Sequence, residues 1–255
     1  MLFEENSNYE QRLLLFKHIR TISFQNLDHT EGVDPSGEDP FNPLWWNNGR
    51  HASNGECGVP TFVRWGSAVP YENSSGKTWY SFDWGNVHVV MMDSEHDWQY
   101  GSNQHTWLDA NLAAVNRTKT PWVVVTSHRP IYTTELCVVP DYIVSRFMRQ
   151  ALDPLFEKYK VNLALVAHLH SYERTCLIKR GNCVENGGTQ HITIGSAGAG
   201  LDSCGSSPIL GPYNKAHTNQ WGYLTVEATD ERMKLDFILD KDGSVWDSYE
   251  VLPWE

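Results

Sequence analysis

Nowhere in its 255 residues does this chain carry an apolar run near the roughly 20 residues that a membrane-crossing helix requires, and the short Leu13-Leu14-Leu15-Phe16 stretch leads straight into Lys17, His18 and Arg20. No membrane span is expected. Basic charge is also scarce, since 20 Lys and Arg against 31 Asp and Glu leave a formal net charge of −11. Broad binding to nucleic acid draws its strength from cations on phosphates, so no nucleic-acid partner is expected, and any phosphate handled here is bound locally. The amino terminus lacks the basic stretch and small-residue cleavage site of a secretory signal, with Glu4 and Glu5 standing where the basic residues belong, so no signal peptide is expected. Missing too are an internal repeat, a heptad pattern, a Lys-Ser/Thr after the glycine-rich residues 195–200, and a Gly-x-Ser-x-Gly nucleophile elbow.

What is present reads as a folded α/β protein. Hydrophobic residues make up 40% of the chain, with 11 Trp and 11 Tyr, enough to build a sizeable core and unlike a disordered composition. Cysteines number five, an odd count; Cys176 and Cys183 flank a short Gly-Asn turn suited to a local disulfide, and an odd cysteine is expected to have lost its partner with a missing segment. Two sequons, at Asn73 and Asn116, suit a secreted glycoprotein.

Residues 1–27 show no clear period, and residues 29–60, rich in Gly, Pro, Asn and Asp, read as irregular loop. From Trp79 two β-rich runs meet across Gly85-Asn86 as a hairpin. Leu108, Leu112 and Val115 recur at helical spacing after a Ser102 cap, and residues 121–126 form an apolar, β-branched strand that ends at Ser127-His128. A second helical stripe runs through Val144, Met148, Ala151, Leu155 and Tyr159, with Asp153-Pro154 placed to cap and restart the helix. Residues 162–167 then make a buried strand ending at His168. Strand, helix, strand predicts a parallel pair, and reactive groups gather beyond the carboxyl ends of such strands. The segments 191–195, 223–228, 233–239 and 245–251 read as an antiparallel meander.

The strongest chemical signal is Ala167-His168-Leu169-His170 after one strand and His128 after its neighbour. Imidazole nitrogen suits zinc, iron and related ions, and a His-x-His pair can serve two adjacent metals if its loop allows it. Other clusters are weaker. In Asp93-Ser94-Glu95-His96-Asp97, neighbouring side chains point to opposite faces of an extended chain, so a solvated strand end is the simpler reading. His88, His191 and His217 are read as structural polar residues, and Glu173 with Arg174 as a pair holding the histidine loop.

The segments Glu56-Cys57-Gly58-Val59-Pro60 and WYSFDWGNVH (residues 79–88), with AHLHSYERT (167–175) and TSHRP (126–130), resemble the purple acid phosphatases of the metallophosphoesterase superfamily, where the last two motifs read GHxHxYERT and VTGHRP. The resemblance runs from about residue 28 to near the carboxy terminus. It implies an α/β, metallophosphoesterase-like four-layer α/β/β/α sandwich, incomplete at the amino-terminal side, with carboxy-terminal antiparallel strands. The implied domains are a divergent or foreign segment at 1–27, a partial calcineurin-like metallophosphoesterase domain at 28–186 and a purple acid phosphatase carboxy-terminal region at 187–251. The implied activity is acid hydrolysis of phosphate monoesters at a binuclear centre of Fe(III) with Zn, Mn or Fe(II). His128 and His168 would bind the divalent ion and His170 the ferric one. Secretion or a vacuolar or lysosomal location follows from the same resemblance.

The departures matter equally. The family draws an aspartate from GDxG and a bridging aspartate and tyrosine from GDxxY, yet this chain has no Gly-Asp dipeptide. Where GNHE should precede Asp28-His29-Thr30-Glu31-Gly32 stands Ser23-Phe24-Gln25-Asn26, putting Phe24 at a metal-binding asparagine and Gln25 at a catalytic histidine; a shifted register would offer only Asn26 or His29. No catalytic residue is therefore recognisable. Occupancy and turnover are expected to be impaired, with a truncated fragment or a non-catalytic descendant as the alternative reading. A sheet lacking strands would expose an edge and invite self-association.

Overall fold

A computed structural model describes residues 2–5, 11–15, 79–94, 97–137, 139–198 and 200–254. Phe24, Gln25, Asn26, His29, Cys57, Asn73 and the 29–60 segment lie outside the described residues. The strands are β1 (Leu2–Glu5), β2 (Gln11–Leu15), β3 (Tyr80–Trp84), β4 (Val87–Met91), β5 (Trp122–Thr126), β6 (Leu163–Val166), β7 (Tyr172–Lys179), β8 (Asn182–Val184), β9 (Thr189–Ile194), β10 (Asn214–Thr218), β11 (Gly222–Ala228), β12 (Met233–Leu239) and β13 (Val245–Val251). Two helices, α1 (Asn103–Ala113) and α2 (Val139–Lys158), connect them.

Eight strands form one mixed sheet in the order β10-β7-β9-β6-β5-β4-β3, with β8 paired to β7. Its centre is parallel: β4 to β5, β5 to β6 and β6 to β9. Those four strands are buried along their whole length because both faces are covered, which is why they read as unbroken apolar runs. The β3–β4 hairpin turns at Gly85, whose φ of 53° suits glycine. The second sheet, β1-β2-β11-β12-β13, is antiparallel, and β11 and β12 alternate buried and half-buried residues. One core, including Val89, Val124, Leu165, Tyr172, Val226 and Phe237, lies between the sheets; another, including Val125, Leu108, Met148, Leu152 and Phe156, lies between the mixed sheet and the helices. Among the described residues the layers are therefore helix, sheet, sheet.

Several expectations change. Residues 1–27, which show no period, include β1 and β2, and β2 pairs antiparallel with β11 through Leu13↔Val226 and Leu15↔Leu224. The segment 191–195 does not join the meander: β9 enters the mixed sheet, parallel to β6 and antiparallel to β7. Its continuous burial, rather than alternation, marks it as a central strand. Pro154 does not restart a helix, because α2 runs unbroken through it. Leu152, Leu155 and Phe156 are buried around that point, and this packing outweighs the one backbone bond a proline removes.

Candidate metal centre

β5 and β6 lie side by side and deliver their histidines to the same edge of the sheet. Past β5, the Ser127 amide donates to the Leu165 carbonyl (3.2 Å); past β6, the Ala167 amide donates to the His128 carbonyl (2.9 Å). These bonds lace the two strand exits together beyond the regular ladder. His168 sits at the centre of a three-residue turn in which the Leu169 amide donates to the Ala167 carbonyl at 2.8 Å, with a φ of 65°. A left-handed φ at a non-glycine residue costs energy that the surroundings must hold in place. Gly195, at the end of β9, makes the approach possible, since a Cβ there would collide with the Leu169 carbonyl.

The turn aims His168 at His128. His168 Nδ1 stands 3.2 Å from His128 Nε2, with the rings perpendicular and their centroids 4.7 Å apart. Two imidazole nitrogens on one ion at about 2.1 Å would stand roughly 3.0 Å apart on an octahedral edge and roughly 3.4 Å apart on a tetrahedral one, so the pair fits a shared ion. Behind it, His168 Nε2 lies 3.1 Å from Asp141 Oδ1 and 3.2 Å from Arg129 Nη1, and Arg129 Nη1 donates to the same Asp141 oxygen at 3.1 Å. A carboxylate behind a histidine fixes its tautomer and leaves the opposite nitrogen's lone pair facing forward. Burial, helped by the Arg129 guanidinium, holds the His168 imidazole below its ordinary pKa and favours the neutral form that can ligate.

His170 is held differently. Its backbone amide donates to Asp202 Oδ2 (2.7 Å) and its Nδ1 donates to the Gly200 carbonyl (2.7 Å), which makes Nε2 the lone-pair nitrogen. Asn219 Nδ2 in turn donates to the Asp202 and Cys204 carbonyls. The three histidines do not form a set with all ligating atoms within 4.8 Å; among the described residues such a set occurs at Glu135, Cys137, Asp202 and Cys204. That set does not fit a metal. Cys137 and Cys204 are joined in a disulfide, which removes both thiolates, and Glu135 already accepts from the Ser171 hydroxyl.

The remaining residues find structural roles. Glu173 and Arg174 do not pair with each other, because neighbours on a strand face opposite sides. Glu173 accepts from Thr133 Oγ1 (2.8 Å), the Thr134 amide (3.0 Å) and Asn214 Nδ2 (3.2 Å), while burial, followed by the charge of Glu135, raises its pKa despite those bonds. Arg174 instead grips Asp247 of β13 with Nε at 2.6 Å and Nη2 at 3.0 Å. Asp93 is buried rather than solvated, its backbone amide and carbonyl both bonded to the Gln104 side chain. His88 bridges Asp83 (2.7 Å) and Asn111 (3.1 Å), and His217 lies 3.4 Å from Glu135, which raises its pKa. His191 is enclosed by Tyr132 and Phe156, and burial holds its pKa down at about 3. Cys176 and Cys183 form a disulfide. Sequence reading missed Asp141, Asp202 and the Cys137–Cys204 bridge. Asp141 stands 13 positions after His128 with no local signal, and the other pieces meet only through long-range contacts.

A parallel-centred sheet backed by helices, packed on an antiparallel sheet, with histidines at adjacent strand exits, defines a metallophosphoesterase. The calcineurin-like phosphoesterase family model matches residues 57–172, and the model described as iron/zinc purple acid phosphatase-like protein C matches residues 188–248. The chain belongs to the purple acid phosphatases. It is 35% identical over 234 residues to probable inactive purple acid phosphatase 9 of Arabidopsis thaliana, covering 84% of this chain and 36% of that protein. It is 38% identical over 138 residues to purple acid phosphatase 22 of the same plant, covering 53% of this chain and 30% of that one. The solved purple acid phosphatase from yellow lupin (Lupinus luteus) seeds superposes with a TM-score of 0.73 at 30% identity, covering 88% of this chain and 39% of that one. The chain thus spans about a third of the length of the curated relatives it matches. The family implies a binuclear metal centre. No helix among the described residues is long and apolar enough to cross a membrane.

Proposed function

We propose that this chain carries the histidine half of a metal-dependent acid phosphatase site that acts on phosphate monoesters, with weak turnover by the chain alone. The observation that carries this reading is the 3.2 Å approach of His128 Nε2 and His168 Nδ1, backed by Asp141. His128 and His168 would hold a divalent ion, Zn, Mn or Fe(II), and His170 Nε2 would face Fe(III). Bound there, the ions would supply Lewis-acid charge to the phosphoryl oxygens. Asp141 keeps the His168 tautomer, Arg129 neutralises Asp141, and Asp202 with Gly200 orients His170. Among the described residues no carboxylate joins these histidines in a set whose ligating atoms all lie within 4.8 Å, and by the resemblance Gln25 stands where the family uses a histidine. Loss of general acid–base help costs about 10² to 10⁴-fold in rate.

The test is turnover of an aryl phosphate at mildly acidic pH with iron, zinc or manganese supplied, on the chain beside His168→Ala, with calorimetric metal titration of both. Metal binding lost in the variant, with weak turnover lost alongside it, is the expected result. Metal binding that ignores the substitution overturns the assignment. A second reading, a non-catalytic relative, draws on curated relatives named probable inactive; metal binding without turnover would favour it. Secretion or vacuolar delivery with glycan at Asn116 completes the proposal. Asn116 is exposed, its side-chain oxygen accepts from the Thr118 amide at 3.1 Å, and two disulfides suit an oxidising compartment. Glycosidase treatment of chain made in a secretory host should remove mass at Asn116.

A further inference from the structure

The segments that carry Cys137 and Cys204 are held side by side by more than their disulfide. Glu135 pairs with Ser206 as an isolated antiparallel bridge, the Ser207 amide donates to the Thr134 carbonyl at 2.7 Å, and the Thr134 and Ser206 hydroxyls bond each other at 2.7 Å. Asn219 Nδ2 donates to the Cys204 carbonyl at 3.2 Å. These contacts keep the two cysteines, whose Cα atoms stand 5.4 Å apart, close together whether or not their sulfurs are joined. The Glu135 side chain beside them is fully buried. Its Oε1 accepts from the Ser171 hydroxyl and lies 3.4 Å from His217 Nε2. Its Oε2 faces sulfur alone among the described residues, 3.9 Å from Cys137 Sγ and 3.7 Å from Cys204 Sγ. Bridged sulfurs carry no proton, so this buried oxygen has no donor there, and an acceptor left so is costly. We infer that opening the Cys137–Cys204 bridge turns this corner into a binding site for a zinc-like divalent ion, with both thiolates, Glu135 Oε2 and Asp202 as its ligands.

The geometry suits four-coordination. The ligating atoms of Glu135, Cys137, Asp202 and Cys204 all lie within 4.8 Å of one another. On a tetrahedral zinc ion, with Zn–S of about 2.3 Å and Zn–O of about 2.0 Å, a sulfur and an oxygen stand roughly 3.5 Å apart and two sulfurs roughly 3.8 Å apart. Glu135 Oε2 is already near that distance from both sulfurs, and the sulfurs reach theirs by side-chain rotation once the bond between them is broken. Closed, the bridge withholds both thiolates and the set does not fit a metal. Open, it supplies two soft ligands, which favour zinc over magnesium or calcium. The opening step is thiol–disulfide exchange: a dithiol reductant gives two electrons and two protons, leaves as its own disulfide, and produces the Cys137 and Cys204 thiols. The ion then displaces both thiol protons and gives Oε2 the positive partner it lacks. In the oxidising compartment that the two disulfides suit, the site stays closed. Asp202 also accepts from the His170 amide, so the site adjoins the histidine loop without using its imidazoles.

The test is cobalt(II) titration of the full chain, read by thiolate-to-cobalt charge-transfer absorption, with and without a phosphine reductant, in a Cys57→Ser background that removes the fifth cysteine. The oxidised chain should show no thiolate band. The reduced chain should show one with the intensity of two thiolates, and zinc should displace the cobalt and raise the Tm of the reduced chain. Cys176→Ser with Cys183→Ser should keep the band, and Cys137→Ser with Cys204→Ser should lose it. Glu135→Gln keeps the shape of the side chain and an acceptor for Ser171, so it decides the matter if the double serine variant does not fold. It should weaken cobalt binding at least about tenfold, since even groups behind a ligand are worth about 10 to 100-fold in affinity. His168→Ala should leave the band in place, which separates this site from the histidine one. A reduced chain without a thiolate band, a reduced chain that stays unfolded when zinc is added, or a band indifferent to Glu135→Gln overturns the site.

Discussion

The two sheets share one core and differ in what they do. In the mixed sheet, β4, β5, β6 and β9 are buried on both faces, so side chains along them are closed off from solvent and groups open to a ligand gather at the strand ends. There stand Ser127, His128, His168 and His170. The antiparallel sheet alternates, burying Leu224, Val226, Leu235 and Phe237 and turning Tyr223, Thr225, Lys234 and Asp236 outward. It has polar positions all along its strands and no constellation at their ends. Burial of a strand on both sides thus concentrates function at its exit, while one-sided burial spreads polarity and leaves a supporting wall.

The strongest way to break that comparison is to remove the shared core. Phe237 is fully buried and stacks on Tyr172 of the mixed sheet at 4.0 Å, so Phe237→Ala should cost about 4 kcal/mol in urea unfolding. Both sheets should still unfold together; separate transitions would show that the antiparallel sheet folds independently. Next is the Cys137–Cys204 bridge, which ties the chain leaving the His128 exit to the segment that holds His170. Its sequence separation of 67 predicts a loss of about 4 kcal/mol for the Cys137→Ser, Cys204→Ser pair, against about 2.5 kcal/mol for the Cys176–Cys183 bridge with a separation of 7. Only the first should also weaken metal binding.

Two carboxylates sharpen the contrast through pH. Asp153, beneath the mixed sheet, bonds the Tyr132 hydroxyl, and burial raises its pKa from 3.8 to about 6. A raised folded pKa adds stability that is complete below about pH 4 and lost as pH rises through 6, roughly 2 kcal/mol for this half-buried group. Asp153→Asn should therefore abolish that decline in a stability profile between pH 4 and 7. Asp247, on the antiparallel sheet, carries the opposite sign. Burial alone would raise it, but the Arg174 and Tyr172 bonds outweigh burial and lower its pKa. Its contribution is present above 3.8 and lost on further acidification, and Asp247→Asn should flatten only that acid limb. Smallest of all, Arg232→Ala should remove the exposed pair with Glu250 at a cost under about 0.5 kcal/mol.

Much of this was legible from local pattern. The continuous apolar runs before His128 and His168 marked two buried parallel strands, and the stripe from Val144 to Tyr159 marked the crossover helix between them. Ser102 caps its helix by accepting from the His105 amide at 3.1 Å. Other features were invisible. Residues 11–15 have no alternation of their own and become a strand by pairing with β11. Residues 189–194 share the β-branched composition of the meander and differ in having helix and sheet on both sides.

The sequence by itself determined the family, the two histidine segments and the absence of the Gly-Asp motifs, because these are matters of residue identity and short spacing. It also determined the Cys176–Cys183 bridge, whose partners are held close by one turn. Only the tertiary structure decided that Arg174 would grip Asp247 rather than Glu173, that Asp141 would stand behind His168, and that Gly200 would accept from His170. Each of those contacts spans from about thirty to more than seventy positions of chain. A pairing at such range is set by which strands the core draws together, and no spacing rule along the chain records it.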